Sequence, residues 1–177
     1  MPLLDPDRSL LLLIDFQARL MPAIADGAGA AANARKLLDA ARLLGVPVLA
    51  TEQNPRGLGG TLPDLSVAPE EVEPKMTFDA GATPAVLARI PEDRVPVVAG
   101  CEAHVCVLQT VLGLLDRGRR VVVVADAVGS RRPESRERAL RRLDSHGAEI
   151  VTAEMVIFEW LGSAEHPRFR EALALVR

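Results

Sequence analysis

The sequence predicts an α/β domain with a mostly parallel central sheet. Short apolar runs that suit buried strands alternate along the chain with segments of helical periodicity. Runs such as Leu10–Ile14 and Val121–Val124 are apolar throughout, which is typical of parallel strands covered on both faces. The chain has 177 residues, 49% of them hydrophobic, enough for one sizeable core. We therefore expect a single domain over residues 1–177.

The first predicted strand, Leu10–Ile14, ends at Asp15, and Phe16 and Gln17 follow it. In open α/β sheets, ligands bind at the carboxyl ends of the strands. Asp15 is therefore a candidate functional residue. Because Asp also commonly caps helices and turns, a structural role is the alternative.

A helix and a second strand come next. Apolar residues recur at helical spacing over residues 31–44, and Gly45 follows at the position of a C-cap glycine. Val46–Ala50 is the predicted strand, and the polar residues after it leave the same edge as Asp15. Among them, Gln53 either contacts substrate or satisfies the loop backbone, and both interpretations stay open.

Residues 54–74 are rich in proline and glycine without sustained periodicity, and they predict a long loop that acts as a lid. Lys75 follows this loop directly, and a helix is expected at about Thr83–Arg89. Of the 21 Lys and Arg residues, only Lys36 and Lys75 are lysine. Because an ammonium shifts its pKa readily on burial, Lys75 is a functional candidate, with a plain surface charge as the alternative.

Residues 95–115 predict a buried strand, a turn containing glycine, and a helix whose first turn holds Cys106. Unpaired N–H groups and the helix dipole at such a position favour a thiolate, so we expect a lowered pKa and a nucleophilic thiol. The alternative is a small buried hydrophobic residue. Cys101 lies five residues earlier across a turn, which is poor geometry for a disulfide.

The remaining segments continue the alternation of strands and helices. They are a strand at Val121–Val124 ending near Asp126, a helix at Pro133–His146, a strand at Glu149–Val151, a helix from Ala153 through Leu161, and a helix from about Pro167 to Val176. The aromatic side chains of this region either cover the hydrophobic core or form a contact between subunits; they are Phe158, Trp160 and Phe169.

The helix at 133–146 contains several arginines, but Glu134–Arg138 and Glu137–Arg141 are i,i+4 pairs in the favourable order. A solvated helix face therefore explains the arginines better than a nucleic-acid surface. The formal net charge of -3 gives no general attraction to nucleic acid or to an anionic membrane. Without a transmembrane or targeting segment, we expect a soluble cytoplasmic protein that acts on a small molecule.

Asp15, Lys75 and Cys106 together form a possible hydrolytic site. A thiol needs a base and a nearby cation, and Asp15 and Lys75 supply one each. Backbone N–H groups at the helix start could hold the oxyanion formed when the thiol attacks a carbonyl. Phe16, Gln53 and Phe78 are expected to contact the substrate.

The chain resembles the isochorismatase-like cysteine hydrolases across nearly its whole length. The resembling segments are Leu-Ile-Asp-Phe-Gln at 13–17, Gly-Val-Pro-Val-Leu-Ala-Thr-Glu-Gln at 45–53, Lys75 with Phe78, Gly-Cys-Glu-Ala-His-Val-Cys-Val at 100–107, and Val-Ala-Asp-Ala-Val at 124–128. Their order and spacing make the signal specific, and it is closest to the unassigned isochorismatase-domain proteins.

The resemblance implies a three-layer α/β/α fold with a catalytic Asp15, Lys75 and Cys106. It also implies a cis peptide bond between Cys101 and Glu102, an oxyanion hole formed by the N–H groups of Glu102 and Cys106, and a homo-oligomer. Nicotinamidases of this superfamily hold zinc with histidines after the second strand, but residues 51–61 contain none, so we expect no metal and no cofactor.

The expected function is a metal-independent cysteine hydrolase acting on a small amide or related C–N bond. Enzymes that hydrolyse the vinyl ether of isochorismate commonly lack the cysteine, which makes that reaction less favoured. Two further hypotheses stay open: a non-catalytic interaction module that keeps the fold, and a redox sensor that uses Cys101 and Cys106.

Overall fold

A computed structural model describes residues 3–176, which form one six-stranded sheet with helices on both faces. The strands are β1 (Ser9–Ile14), β2 (Val48–Gln53), β3 (Val72–Lys75), β4 (Val95–Cys101), β5 (Val122–Gly129) and β6 (Glu149–Val151). The α-helices are α1 (Gly27–Leu44), α2 (Pro55–Leu58), α3 (Pro84–Leu87), α4 (Leu108–Asp116), α5 (Pro133–Ser145), α6 (Ala153–Leu161) and α7 (Phe169–Val176). The predicted three-layer α/β/α fold is confirmed.

The sheet has the strand order β3-β2-β1-β4-β5-β6, and every neighbouring pair is parallel. Alternate residues of β1 enter two separate cores. Leu11 and Leu13 pack with α1, α6 and α7 on one face, whereas Leu10 and Leu12 pack with α4 and α5 on the other. This double covering explains why the strand sequences are apolar throughout.

The strand order reverses between β1 and β4, and the carboxyl ends of these strands form the crevice where such sheets bind ligands. Gly100 lies near the end of β4, opposite Ile14 of β1. A Cβ at Gly100 would stand 2.5 Å from the Ile14 carbonyl oxygen, so only glycine allows this close approach. Asp15 follows β1 and Glu102 follows β4, so both emerge at the crevice.

The predicted long loop over residues 54–74 is wrong. This segment contains the short helix α2, two 3-10 turns and most of the edge strand β3. Pro74 lies within β3, and proline is tolerated there because an edge strand leaves one row of N–H groups unpaired. Lys75 is therefore the last residue of a strand and not the first residue after a lid.

Several elements differ from the prediction mainly at their ends. The second strand begins at Val48 and continues to Gln53, so the polar residues that were expected beyond its end belong to the strand. Helix α1 begins four residues earlier than predicted. Strand β5 continues to Gly129 through a register shift opposite β4, and within it Asp126 accepts a hydrogen bond from the first N–H of α6.

The two predicted ion pairs on α5 have different outcomes. Glu137 and Arg141 are paired, but no ion pair between Glu134 and Arg138 is found in the described part of the chain. Of the C-terminal aromatics, Trp160 is buried and donates from its indole N–H to Ser9 Oγ at 3.0 Å, whereas Phe158 is partly exposed. No helix within residues 3–176 is both long and apolar enough to span a membrane.

Candidate active site

Asp15 and Lys75 form a buried ion pair at the carboxyl edge of the sheet. Lys75 Nζ donates to Asp15 Oδ2 at 2.8 Å, and neither side chain has solvent exposure. Thr51 Oγ1 donates to the other carboxylate oxygen, Oδ1, at 2.7 Å. Asp15 has a left-handed backbone conformation, φ 55°, a region that non-glycine residues rarely occupy outside constrained sites.

The ammonium of Lys75 has two further acceptors. It donates to Gln53 Oε1 at 2.8 Å and to the carbonyl oxygen of Thr77 at 3.3 Å. An ammonium has three N–H groups, so these two contacts and the contact with Asp15 account for all of its donors. This set of partners satisfies a buried charge that would otherwise be costly.

Gln53 orients Lys75 through an amide whose oxygen and nitrogen both have partners inside the protein. Its Nε2 donates to the Met76 carbonyl at 2.9 Å while its Oε1 accepts from Lys75. The Gln17 side chain in turn spans the Gln53 backbone, accepting from its N–H at 2.8 Å and donating to its carbonyl at 3.0 Å. The amide of Gln53 therefore serves Lys75 in this state, and its contact with substrate stays a prediction.

Cys106 lies in a π-helical turn, Ala103–Val107, that follows β4 and continues into α4. Cys106 is 6% exposed, and its thiol lies close enough to Asp15 and Lys75 for both charges to act on its pKa. The three residues predicted from sequence thus meet at one place.

The expected lowering of the Cys106 pKa is wrong. Burial raises the pKa to about 12, and the negative charge of Asp15 raises it further, while Lys75 acts in the opposite direction. The thiol lies beneath the surface, where the loss of solvation disfavours the charged thiolate. Cys106 therefore holds its proton at neutral pH in the resting protein.

The peptide bond between Cys101 and Glu102 is cis, at the position implied by the sequence resemblance. The Glu102 carboxylate accepts from the N–H of Arg131 at 3.0 Å and from the Arg131 guanidinium. Within residues 3–176, the backbone N–H of Glu102 has no hydrogen-bond acceptor. That N–H is consequently available at the edge of the crevice.

Comparison with known proteins identifies the family. Residues 9–155 match the isochorismatase domain. The chain belongs to the isochorismatase family. It is 38% identical to isochorismatase domain-containing protein 1 of Danio rerio over 98% of this chain, but it spans only 62% of that relative. It is 39% identical to isochorismatase domain-containing protein 2 of Macaca fascicularis, covering 97% of this chain and 84% of the relative.

Two solved structures superpose closely on this one. The MAR1 ribonuclease of Caenorhabditis elegans has a TM-score of 0.92 and 36% identity, with 98% of this chain and 91% of that chain covered. YcaC of Pseudomonas aeruginosa, solved with hexane-2,5-diol and covalent acrylamide, has a TM-score of 0.85 and 26% identity, with 98% and 91% covered. The family fold is consistent with a hydrolase.

The two aromatic residues expected to contact substrate lie in different surroundings. Phe16 is 1% exposed and packs in the apolar core on the α1 side of the sheet, which leaves a substrate contact without structural support. Phe78 is 52% exposed and follows Lys75 by three residues. Met76, which lies between Lys75 and Phe78 in the sequence, is 71% exposed.

Cys101 is fully buried, and its thiol lies 3.6 Å from Met21 Sδ. Burial raises its pKa to about 12, the same value as for Cys106. Redox-sensing cysteines are typically accessible and have low pKa values, so this pair does not have the properties of a redox sensor.

A metal site would need several ligating side chains close together. Within the described residues, no cluster of three or more His, Cys, Asp or Glu side chains has a geometry that could hold a metal ion.

Proposed function

We propose that this isochorismatase-family protein is a metal-independent cysteine hydrolase that cleaves a small amide or a related C–N bond. The proposal is supported above all by the buried ion pair of Lys75 and Asp15, 2.8 Å apart, whose two charges both act on the pKa of the Cys106 thiol. A structural cysteine in a hydrophobic core does not require a base and a cation beside it.

In the first half of the reaction, Asp15 takes the thiol proton as Cys106 Sγ attacks the carbonyl carbon. Because the resting thiol has a raised pKa, proton transfer accompanies attack, and Lys75 stabilises the sulfur as it becomes negative. The N–H groups of Glu102 and Cys106 hold the resulting oxyanion. When the C–N bond breaks, Asp15 returns the proton to the leaving nitrogen, and a thioester remains on Cys106.

In the second half, Asp15 takes a proton from water as the water oxygen attacks the thioester carbonyl. The C–S bond then breaks, Cys106 regains a proton from Asp15, and a carboxylic acid is released. One water is consumed and one C–N bond is cleaved, so the enzyme returns to its starting protonation state.

Two relatives with solved structures provide information on the class of substrate. The Pseudomonas aeruginosa relative holds covalent acrylamide, a small electrophile that carries an amide, which supports an amide-sized reactive site. The Caenorhabditis elegans relative is a ribonuclease by name, so RNA is the comparison substrate. A thiol that is 6% exposed favours a small substrate over a polymer.

The test is hydrolysis of a library of small amides, with a single-stranded RNA assayed in parallel. We expect release of ammonia or amine from at least one library member and no cleavage of RNA. Cys106→Ala should abolish that release. Cys101→Ala, which removes the neighbouring buried thiol, serves as the matched control and should keep the activity within about threefold once its melting temperature shows that it is folded.

Retained amide hydrolysis in Cys106→Ala would remove the nucleophile from the proposal. RNA cleavage that survives in Cys106→Ala, with no amide hydrolysed, would replace the proposed reaction altogether.

A further inference from the structure

We propose that a second site, separate from the triad, binds a small oxyanionic molecule such as a phosphate monoester. The site is a cavity of about 500 Å³ lined by His104, Arg131, Arg132 and Ser135. It lies between the turn that carries Cys106 and the start of α5.

The cavity faces away from the thiol. His104 and Cys106 are two residues apart in one helical turn, and residues with this spacing point to nearly opposite sides. Cys106 interacts with Asp15 and Lys75, whereas His104 Nδ1 lies 3.0 Å from Ser130 Oγ and 3.4 Å from Glu102 Oε2. A molecule in the cavity therefore does not occupy the place where a carbonyl would meet the thiol.

The charges around the cavity are predominantly positive. Glu102 compensates Arg131 through the ion pair described above. The guanidinium of Arg132 has no hydrogen-bond or ion-pair partner in residues 3–176. Helix α5 begins at this point without a side-chain cap, so its dipole adds a partial positive charge.

A second cavity of about 330 Å³ adjoins the first and shares His104 and Ser135 with it. Arg138 and Arg142 line this second cavity, and neither guanidinium has a partner among the described residues. Glu134 is the acidic side chain in its lining. The two adjoining cavities are thus lined by four guanidinium groups, one of them paired with Glu102, and by the single carboxylate of Glu134.

The hydrogen-bond donors and positive charges around the two cavities favour a ligand with negatively charged oxygen atoms. Guanidinium groups bind phosphate and carboxylate oxygens in pairs, and serine and histidine add single donors. The cationic groups line two solvent-open depressions of small-molecule size, whereas the whole chain has a formal net charge of -3. A small anionic ligand fits these facts better than a nucleic-acid strand.

The binding test uses inorganic phosphate and the full chain labelled with nitrogen-15, at ionic strength held constant with chloride. We expect saturable shifts of the amide signals of His104, Arg131 and Ser135, with the signals of residues around Asp15 unchanged. Acetate in a parallel titration distinguishes a phosphate site from a carboxylate site. Arg132→Gln should weaken phosphate binding at least about tenfold, because a charge-assisted hydrogen bond is lost.

Arg141→Gln is the matched control, since it removes the same charge from the same helix at a guanidinium already paired with Glu137. It should change affinity less than about twofold, and Arg132→Lys should restore part of the binding. Equal weakening by Arg132→Gln and Arg141→Gln would overturn the proposal, as would shifts spread over the whole surface. Binding of a short RNA at these residues without binding of phosphate would also overturn it. None of these readouts depends on hydrolysis.

Discussion

At the scale of the residue, Cys106 combines a nucleophilic position with a proton that is hard to remove. Burial and the Asp15 carboxylate together keep the thiol protonated, and Lys75 opposes them. The site is therefore suited to removing the proton during attack and does not hold a thiolate in advance. A buried thiol of this kind is also protected from adventitious oxidation.

The alkylation rate of Cys106 tests this state. Because the pKa of Cys106 is raised to about 12, the fraction of thiolate increases about tenfold with each unit of rising pH until the pH reaches that value. We expect the rate with iodoacetamide, followed by peptide mass spectrometry, to rise with this slope from pH 7 to pH 10 without a plateau. Glutathione is the reference thiol. A plateau that begins below pH 9 would show an ordinary or lowered pKa instead.

Asp15→Asn separates the two effects of the carboxylate. Removing the negative charge lowers the Cys106 pKa, since Asp15 raises it in the native protein. We expect alkylation at pH 7 to accelerate at least about tenfold, while hydrolysis is lost because the base is gone. Asp39→Asn, which removes an exposed carboxylate paired with Arg35, should leave both rates unchanged. Slower alkylation in Asp15→Asn would contradict this assignment of charges.

At the scale of the element, the ion pair of Asp15 and Lys75 depends on three neighbouring strands. Strand β1 presents Asp15, β2 presents Thr51 and Gln53, and β3 presents Lys75. The alignment of Gln53 with Lys75 in the β2–β3 pairing places the amide beside the ammonium. Strand register, and not only sequence identity, therefore sets the geometry of the ion pair.

Gln53→Met tests the orienting role of this amide. Methionine has a similar length but cannot accept from Lys75, so the ammonium loses one of its three acceptors. We expect the turnover number to fall by about ten- to a hundredfold, with the change concentrated in kcat rather than KM. Gln53→Glu keeps an acceptor and should retain more activity than Gln53→Met. Equal activity in wild type and Gln53→Met would show that the contact does not position Lys75.

Gly100→Ala tests the approach of β4 to β1. The added methyl would meet Ile14 at the switch point, so the strands must separate and the crevice must widen. We expect the free energy of unfolding to fall by about 1–3 kcal/mol and hydrolysis to fall with it. Gly118→Ala is the control: at φ 74° the alanine strains the backbone but meets no neighbouring atom, so it should lower the free energy of unfolding and leave hydrolysis by the folded protein unchanged. Full activity in Gly100→Ala would show that this contact does not position the site.

The alternation of strands and helices was predictable from the sequence. The convergence of Asp15, Lys75 and Cys106 at one edge of the sheet was predictable as well. It did not reveal β3, because Pro74 and the surrounding glycines and prolines suppress a strand signal that an edge position tolerates. The contacts of Gln17 and Gln53 were also missed, since side-chain partners depend on register. The cavity at His104 was missed because its arginines have the periodicity of an ordinary solvated helix.

At the scale of the whole molecule, the fold brings the ends of β1 and β4 together at the reversal of strand order, and the chemistry follows from that position. The same edge carries exposed apolar side chains, Met76 and Phe78, close in sequence to Lys75. Large apolar groups beside a site are typical of surfaces covered by a partner. We expect the protein to be a homo-oligomer.

Light scattering coupled to size-exclusion chromatography tests the oligomer. The expected mass is a multiple of the 19.0 kDa chain. Phe78→Ser should shift the distribution toward the monomer if this surface is an interface, whereas Leu3→Ser, at another exposed apolar side chain, is the control. A mass of one chain at micromolar concentration would contradict the expectation.

In the proposed reaction, Cys106 forms a covalent bond to the substrate during hydrolysis. The most direct measurement is acid quenching of the protein during turnover of an amide that it hydrolyses, followed by peptide mass spectrometry. We expect an acyl group on the sulfur of Cys106, and no such group in Cys106→Ala. Undiminished turnover by Cys106→Ala, or an acyl group on a different residue, would contradict it.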